Sequence, residues 1–99
     1  MSFSTHVLDA TTGRPAAGMR VRLEHEGAVV AEGVTDADGR IKGWQPGAGV
    51  HRVVFDTGAH LADTFYPEVV ITFTVADPGD HYHVPLLLSP YAYSTYRGS

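Results

Sequence analysis

In Met19-Arg20-Val21-Arg22-Leu23-Glu24-His25, apolar and polar side chains alternate from Met19 to Glu24. Successive side chains of a β-strand point to opposite faces, so Met19, Val21 and Leu23 share one face. The other face carries charged groups that remain in water. This period of two predicts a half-buried strand over residues 19–25, packed with its apolar face on a core.

Turn signals recur at short intervals on both sides of this strand. They are Thr12-Gly13-Arg14-Pro15, Glu26-Gly27, Asp36-Ala37-Asp38-Gly39, Gln45-Pro46-Gly47, Asp77-Pro78-Gly79-Asp80 and Ser89-Pro90. The stretches between them alternate or are rich in β-branched residues, which is typical of an all-β sandwich or barrel. The predicted strands cover residues 5–9, 19–25, 29–35, 40–43, 50–56, 68–75, 81–88 and 91–96. We therefore expect an all-β, two-sheet β-sandwich of about eight strands.

Residues 57–64 differ from the predicted strands on either side of them. Ala59, Leu61 and Ala62 are good or adequate helix formers, and the Thr57 side chain can cap a helix start. These residues predict one short helix between the strands at 50–56 and 68–75.

The chain has 99 residues, which predicts a single domain over residues 1–99. A domain of this size has a thin core, so a sizeable ligand site is expected at an interface between subunits. The run Leu86-Leu87-Leu88 is apolar on both faces of its strand. One face can lie on the core, and the other predicts contact with a partner chain.

The composition excludes several classes of function. The net charge is −4 and the basic residues are scattered, which argues against a nucleic-acid partner. There is no cysteine, so disulfides, a thiolate nucleophile and cysteine-ligated zinc are excluded. The first residues lack the features of a signal peptide, and no apolar run approaches the roughly 20 residues that span a bilayer. We therefore expect a cytoplasmic location and no membrane partner.

The chain contains six histidines, and two of them stand close together in the sequence. His81 and His83 share one strand face, so they form either a metal-binding pair or a solvated pair near a turn. Zinc needs at least a third ligand, which His6 supplies only if its strand lies beside theirs. Taken singly, His6 and Arg40 are ordinary surface residues, and none of the common short catalytic motifs is present.

Three segments resemble the transthyretin-like family, and the resemblance extends over the whole chain. They are Ser4-Thr5-His6-Val7-Leu8-Asp9 with Gly13-Arg14-Pro15-Ala16, then Thr35-Asp36-Ala37-Asp38-Gly39-Arg40, and finally Phe65-Tyr66-Pro67-Glu68 and residues 81–99. The closing Tyr96-Arg97-Gly98-Ser99 resembles the hydroxyisourate hydrolases of that family. The family's thyroid-hormone carrier has lysine, glutamate and threonine where this chain has His6, Arg40 and His83.

The resemblance implies a prealbumin-type sandwich that assembles as a homotetramer, a dimer of dimers, with active sites in a central channel. It implies hydrolysis of 5-hydroxyisourate to 2-oxo-4-hydroxy-4-carboxy-5-ureidoimidazoline in urate breakdown, with no cofactor and no metal. The implied catalytic residues are His6, Arg40, His83 and Ser99. The same four, together with Tyr96, Arg97 and Gly98, are implied to bind the substrate.

Acyl hydrolysis needs a base for water, a donor for the oxyanion and an acid for the leaving nitrogen. We expect one of His6 and His83 to activate water while the other orients or protonates, and the sequence leaves open which does what. Arg40 is expected to bind and polarise the substrate, and Ser99 to hold a histidine or the water. Three alternatives remain: a small-ligand carrier, a zinc hydrolase using His6, His81 and His83, and a structural sandwich without activity.

Overall fold

The computed structural model describes residues 2–99, which form nine strands in two sheets. The strands are β1 (Ser2–Asp9), β2 (Arg14–Pro15), β3 (Arg20–His25), β4 (Ala28–Val34), β5 (Arg40–Trp44), β6 (Gly49–Phe55), β7 (Val69–Val75), β8 (His81–Ser89) and β9 (Ala92–Thr95). The predicted two-sheet β-sandwich is confirmed, and the short β2 is an addition. No helix within residues 2–99 has the length and apolar character needed to cross a membrane.

One sheet contains β2, β1, β8 and β9 in that order. β5 is a fifth member of this sheet and pairs with β1 on the same side as β2. The other sheet has the order β4-β3-β6-β7. β1 and β8 run parallel, in register from Ser2 beside His81 to Asp9 beside Leu88, and all other pairs are antiparallel. β1 is therefore a central strand, with partners on both sides.

The core lies between the two sheets and follows the alternation of the strands. In β1, Phe3 and Val7 are fully buried, and in β8 Leu86 and Leu88 are fully buried. Their neighbours along the strands point away from the core and are only half-buried or exposed, except for the buried Pro85. The outer face of this sheet is thus available to carry chemistry without disturbing the core.

The helix predicted for residues 57–64 does not form, and this part of the chain is a turn-rich loop. A single helical turn is present, in which the Leu61 amide donates to the Thr57 carbonyl at 2.9 Å. The buried Thr57 hydroxyl donates to the Tyr66 carbonyl instead of capping a helix. The Gly58 amide also donates to the Pro67 carbonyl at 2.7 Å, so the two ends of the loop are fastened together after one turn.

β1 begins at Ser2 rather than at the predicted residue 5, which extends the strand by three residues. The extension forms because His81 and Tyr82 of β8 provide a parallel partner for Ser2 and Phe3. It places Ser2 and Ser4 on the outer face of the sheet, beside the histidines of β8.

Candidate active site

Three adjacent strands, β5, β1 and β8, bring the predicted catalytic residues to one sheet face. His6 of β1 is the direct cross-strand partner of Arg40 on β5. On the other side of β1, Ser4 is the partner of His83 on β8. His6 is two residues beyond Ser4, so the two histidines lie diagonally, about 8 Å apart by strand spacing and rise. Strand pairing thus brings His6, Arg40 and His83 together on one sheet face.

The serines of β1 hold the histidines of β8. Ser4 Oγ lies 2.7 Å from His83 Nδ1 and 3.2 Å from His81 Nε2. Ser2 Oγ lies 2.7 Å from His81 Nδ1. Reasoning from the sequence missed both serines, although the spacing Ser-x-Ser-x-His puts them on the same strand face as His6.

Arg40 is positioned by the turn that precedes β5. The Asp36 carboxylate accepts hydrogen bonds from the Asp38 amide at 2.9 Å and the Arg40 amide at 3.0 Å. These backbone donors, the Arg40 amide foremost, lower the pKa of Asp36. Gly39 has a φ of 75°, and a Cβ there would collide with the Val7 carbonyl oxygen. The Asp-x-Asp-Gly-Arg turn therefore presses closely on β1 beside His6.

The environment of His83 favours its neutral form. Partial burial lowers the pKa of His83 most, and the charge of Arg40 and the neighbouring His81 lower it further. Hydrogen bonding to the backbone of Ser4 acts in the opposite direction, and His6 adds a smaller lowering effect. An imidazole with a lowered pKa is neutral at physiological pH, so His83 is suited to accept a proton.

The C-terminal tail is attached to β8 at the site. The Gly98 amide donates to the His83 carbonyl at 2.8 Å. The Arg97 guanidinium donates to the His81 carbonyl at 3.2 Å and lies over the Tyr82 ring, 4.7 Å from its centroid. A tail that the sequence alone would assign to a frayed terminus is thus held against the strand that carries His83.

Gly98 lies directly on the imidazole of His83. A Cβ at Gly98 would overlap Cδ2 of that ring and contact Pro85 Cγ at 3.4 Å. Of the other predicted tail residues, Ser99 is exposed and makes no hydrogen bond to a described residue, and Tyr96 is also exposed. Tyr96 lines a separate cleft of about 330 Å³ with Phe73 and Arg97.

The cluster lies on an open face of the protein. Within residues 2–99, no three histidine, aspartate or glutamate side chains are close enough to hold a metal ion. The zinc set of His6, His81 and His83 is therefore not assembled, and both nitrogens of His81 face serine hydroxyls. The larger clefts of the protein are lined by other residues, such as the one of about 520 Å³ beside Trp44 and His51.

These features define a transthyretin-like sandwich with two histidines and an arginine on its outer face. The chain belongs to the HIUase/Transthyretin family, which residues 3–98 match. A 5-hydroxyisourate hydrolase of Salmonella dublin is 46% identical over 108 residues, covering 97% of this chain and 79% of the relative. A 5-hydroxyisourate hydrolase of Caulobacter vibrioides is 42% identical, covering 97% of this chain and 96% of the relative.

Solved structures of both an enzyme and a carrier share the fold. The structure of Klebsiella pneumoniae 5-hydroxyisourate hydrolase superposes with a TM-score of 0.90 at 40% identity, over the full length of both chains. Sea bream transthyretin in complex with thyroxine superposes with a TM-score of 0.84 at 34% identity, over 97% of this chain and 93% of the other. Because one fold serves both, the side chains on the outer face must distinguish the two functions.

Proposed function

We propose that this chain hydrolyses 5-hydroxyisourate to 2-oxo-4-hydroxy-4-carboxy-5-ureidoimidazoline. The observation that carries the proposal is the meeting of His6, Arg40 and His83 on one face of three adjacent strands. Several relatives named 5-hydroxyisourate hydrolase, 40% to 46% identical to this chain, support the substrate. Hydrolysis of a ring acyl–nitrogen bond needs the acid, base and oxyanion-binding groups that this cluster provides.

In the proposed mechanism, neutral His83 removes a proton from the attacking water through Nε2. Its Nδ1 faces Ser4, and Nε2 makes no hydrogen bond to a described residue. Arg40 binds the planar substrate through its guanidinium fork and stabilises the negative charge that develops on the carbonyl oxygen. His6, the cross-strand neighbour of Arg40, orients the substrate and protonates the leaving nitrogen.

The C-terminal residues complete the proposed site. Gly98 keeps the tail close to His83, and Arg97 fastens it to β8. Ser99 follows Gly98 and is exposed, and its hydroxyl is proposed to contact the substrate or the attacking water. Tyr96 precedes this anchored segment and is proposed to border the substrate.

We also propose that the protein is a homotetramer, arranged as a dimer of dimers. A cluster on an open face needs a second subunit to exclude water during the reaction. Tyr91, Tyr93 and Tyr96, on or beside β9, are large exposed aromatics, and the outward-pointing Leu87 is only half-buried. Sedimentation equilibrium should give a mass four times the 10.6 kDa of the chain, and a monomer would refute the assembly.

We further propose that residues 1–99 act as one domain in the cytoplasm. Both sheets contribute to one continuous hydrophobic core, which supports a single folding unit. A chain without cysteine needs no oxidising compartment for its folding. Fractionation of the source cells, with the protein followed by antibody, tests the location.

The activity is tested by generating 5-hydroxyisourate with urate oxidase and following its absorbance decay with and without this protein. His6→Ala, Arg40→Ala and His83→Ala should each reduce kcat at least about 100-fold, since each removes a positioned acid–base or charge-stabilising group. His60→Ala, a histidine in the loop after β6, is the matched control and should retain full activity. Near-normal hydrolysis by two of the three site variants would contradict the assignment.

A small-ligand carrier is the second candidate, because the solved transthyretin with thyroxine shares the fold. A carrier would bind thyroxine tightly and would leave the decay of 5-hydroxyisourate unchanged. Imidazole and guanidinium groups at positions 6, 40 and 83 suit a polar purine better than an iodinated phenol. Calorimetric titration with thyroxine and the decay assay, performed on the same preparation, separate the two functions.

A further inference from the structure

We propose that Ser4 and His81 form a proton relay that carries the proton accepted by His83 to solvent. The inference rests on the proposed hydrolysis and deepens it, because it assigns roles to two residues outside the catalytic set. Its geometric basis is the row Ser2, His81, Ser4 and His83, in which each hydroxyl contacts the imidazole beside it.

A hydroxyl group has one proton, so the hydrogen bonds along this row can point in only one direction at a time. Ser4 Oγ contacts His83 Nδ1 at 2.7 Å and His81 Nε2 at 3.2 Å, but it has only one proton to donate. When it donates to one ring, it must accept from an N–H of the other. The protonation states of His83 and His81 are therefore coupled through Ser4, and a proton cannot move at one ring without a response at the other.

In the state ready for catalysis, His83 carries its proton on Nδ1 and donates it to Ser4, while Ser4 donates to His81 Nε2. The lone pair of His83 Nε2 is then free for the attacking water. As Nε2 takes the water proton, the Nδ1 proton passes to Ser4 Oγ, and Ser4 passes its own hydroxyl proton to His81 Nε2. One proton enters the row and one arrives on His81, so the positive charge moves from His83 to His81.

The surroundings favour this direction of transfer. His83 is half-buried and stands near the fixed positive charge of Arg40, which opposes a second positive charge on its ring. The charged or titratable side chains that act on it are Arg40 on β5, His81 on its own strand and His6 on β1, and all three disfavour a positive charge on the His83 ring. His81 is exposed, so a proton that reaches it can leave to water or to a buffer base.

Ser4 is thus a positioning and relay residue for His83, and its test compares two substitutions. Ser4→Ala should lower kcat about tenfold with KM changed less than twofold, because substrate binding stays with Arg40 and His6. Ser4→Thr retains a hydroxyl group, and threonine is well accommodated in strands. The kcat of this variant should therefore lie within about twofold of that of the unmodified protein. Ser89→Ala, the same change at the far end of β8, is the matched control and should keep full activity.

The role of His81 is tested by chemical rescue. In dilute buffer, His81→Ala should lower kcat about tenfold, and kcat should rise with added imidazole because the buffer replaces the missing proton acceptor. The unmodified protein should show no dependence on imidazole concentration. If Ser4 only held the His83 ring in place, His81→Ala would be fully active and independent of buffer, and that result overturns the relay.

The unmodified protein separates this proposal from the proposed function. If it fails to accelerate the decay of 5-hydroxyisourate, the hydrolase function is wrong. If it accelerates the decay but Ser4→Ala and His81→Ala match it in kcat, the hydrolase function stands and the relay is wrong. Near-equal kcat values for Ser4→Ala and Ser4→Thr, both low, would also refute the relay because the restored hydroxyl would have done nothing.

Discussion

Replacing Gly98 by alanine tests whether the C-terminal tail controls the position of His83. The added methyl group would overlap the His83 ring, and Pro85 on the neighbouring side leaves little room for it to move away. Two responses are available. Either the ring turns and loses its 2.7 Å contact with Ser4, or the tail lifts and loses the 2.8 Å hydrogen bond between the Gly98 amide and the His83 carbonyl.

The two responses have different consequences for stability but the same consequence for catalysis. Loss of the backbone hydrogen bond costs about 1 kcal/mol, which lowers the melting temperature of a domain of this size by about 4–8 °C. Rotation of the ring costs about 0.5–1.5 kcal/mol if it leaves its preferred rotamer. In both cases the imidazole or the tail moves by roughly 1 Å, and a displacement of that size lowers kcat by about 100-fold.

The assay is the decay of 5-hydroxyisourate at saturating substrate, paired with a thermal unfolding curve for the same preparation. Gly47→Ala is the matched control, because Gly47 has open space around its Cα and no positive φ. We expect Gly98→Ala to lose about 100-fold in kcat while Gly47→Ala keeps its activity. A Gly98→Ala protein with full activity and an unchanged melting temperature would refute the placement of the tail on His83.

Two further predictions concern the charge at the site and the core beneath it. The surroundings of His83 lower its pKa in the folded protein, so the unfolded chain binds more protons than the folded one just below pH 6.5. The free energy of unfolding therefore decreases as the pH falls from about 6.5 toward the lower pKa of folded His83. An NMR titration should place the His83 midpoint below 6.5, and Arg40→Gln should raise it; an unchanged midpoint in the variant would contradict the role of Arg40. The buried Thr35 hydroxyl donates to the Ala16 carbonyl at 2.6 Å and accepts from the Met19 amide at 2.9 Å. Thr35→Val should therefore cost about 2 kcal/mol in chemical denaturation, while a cost near zero would mean that water replaces the hydroxyl.

The buried faces of the strands could be predicted from the sequence, because the alternation of apolar and polar residues indicates which side chains point into the core. Met19, Val21 and Leu23 share the apolar face of the segment at 19–25, and all three are buried. The loop at 57–64 could not be predicted in this way. Local propensity favoured a helix there, but the buried Thr57 hydroxyl bonds to the Tyr66 carbonyl nine residues away, and propensity contains no information about such a contact.

The candidate site was predictable only in part, for a related reason. No local pattern joins His6, Arg40 and His83, because they become neighbours through strand pairing across most of the chain. The family resemblance supplied those three residues. Ser4 was missed because its importance depends on the parallel register of β1 and β8, which brings it within 2.7 Å of His83.

That register connects the site to the core. Phe3, Thr5 and Val7 of β1 point inward and are fully buried, so the residues between them must point outward. A shift of β1 by one residue would turn Ser4 and His6 into the core and expose Phe3 and Val7, which the hydrophobic effect strongly opposes. The core thus holds the outward residues in register without depending on their identity. The outward positions are consequently free to change, and the same sandwich is found in a 5-hydroxyisourate hydrolase and in a transthyretin in complex with thyroxine.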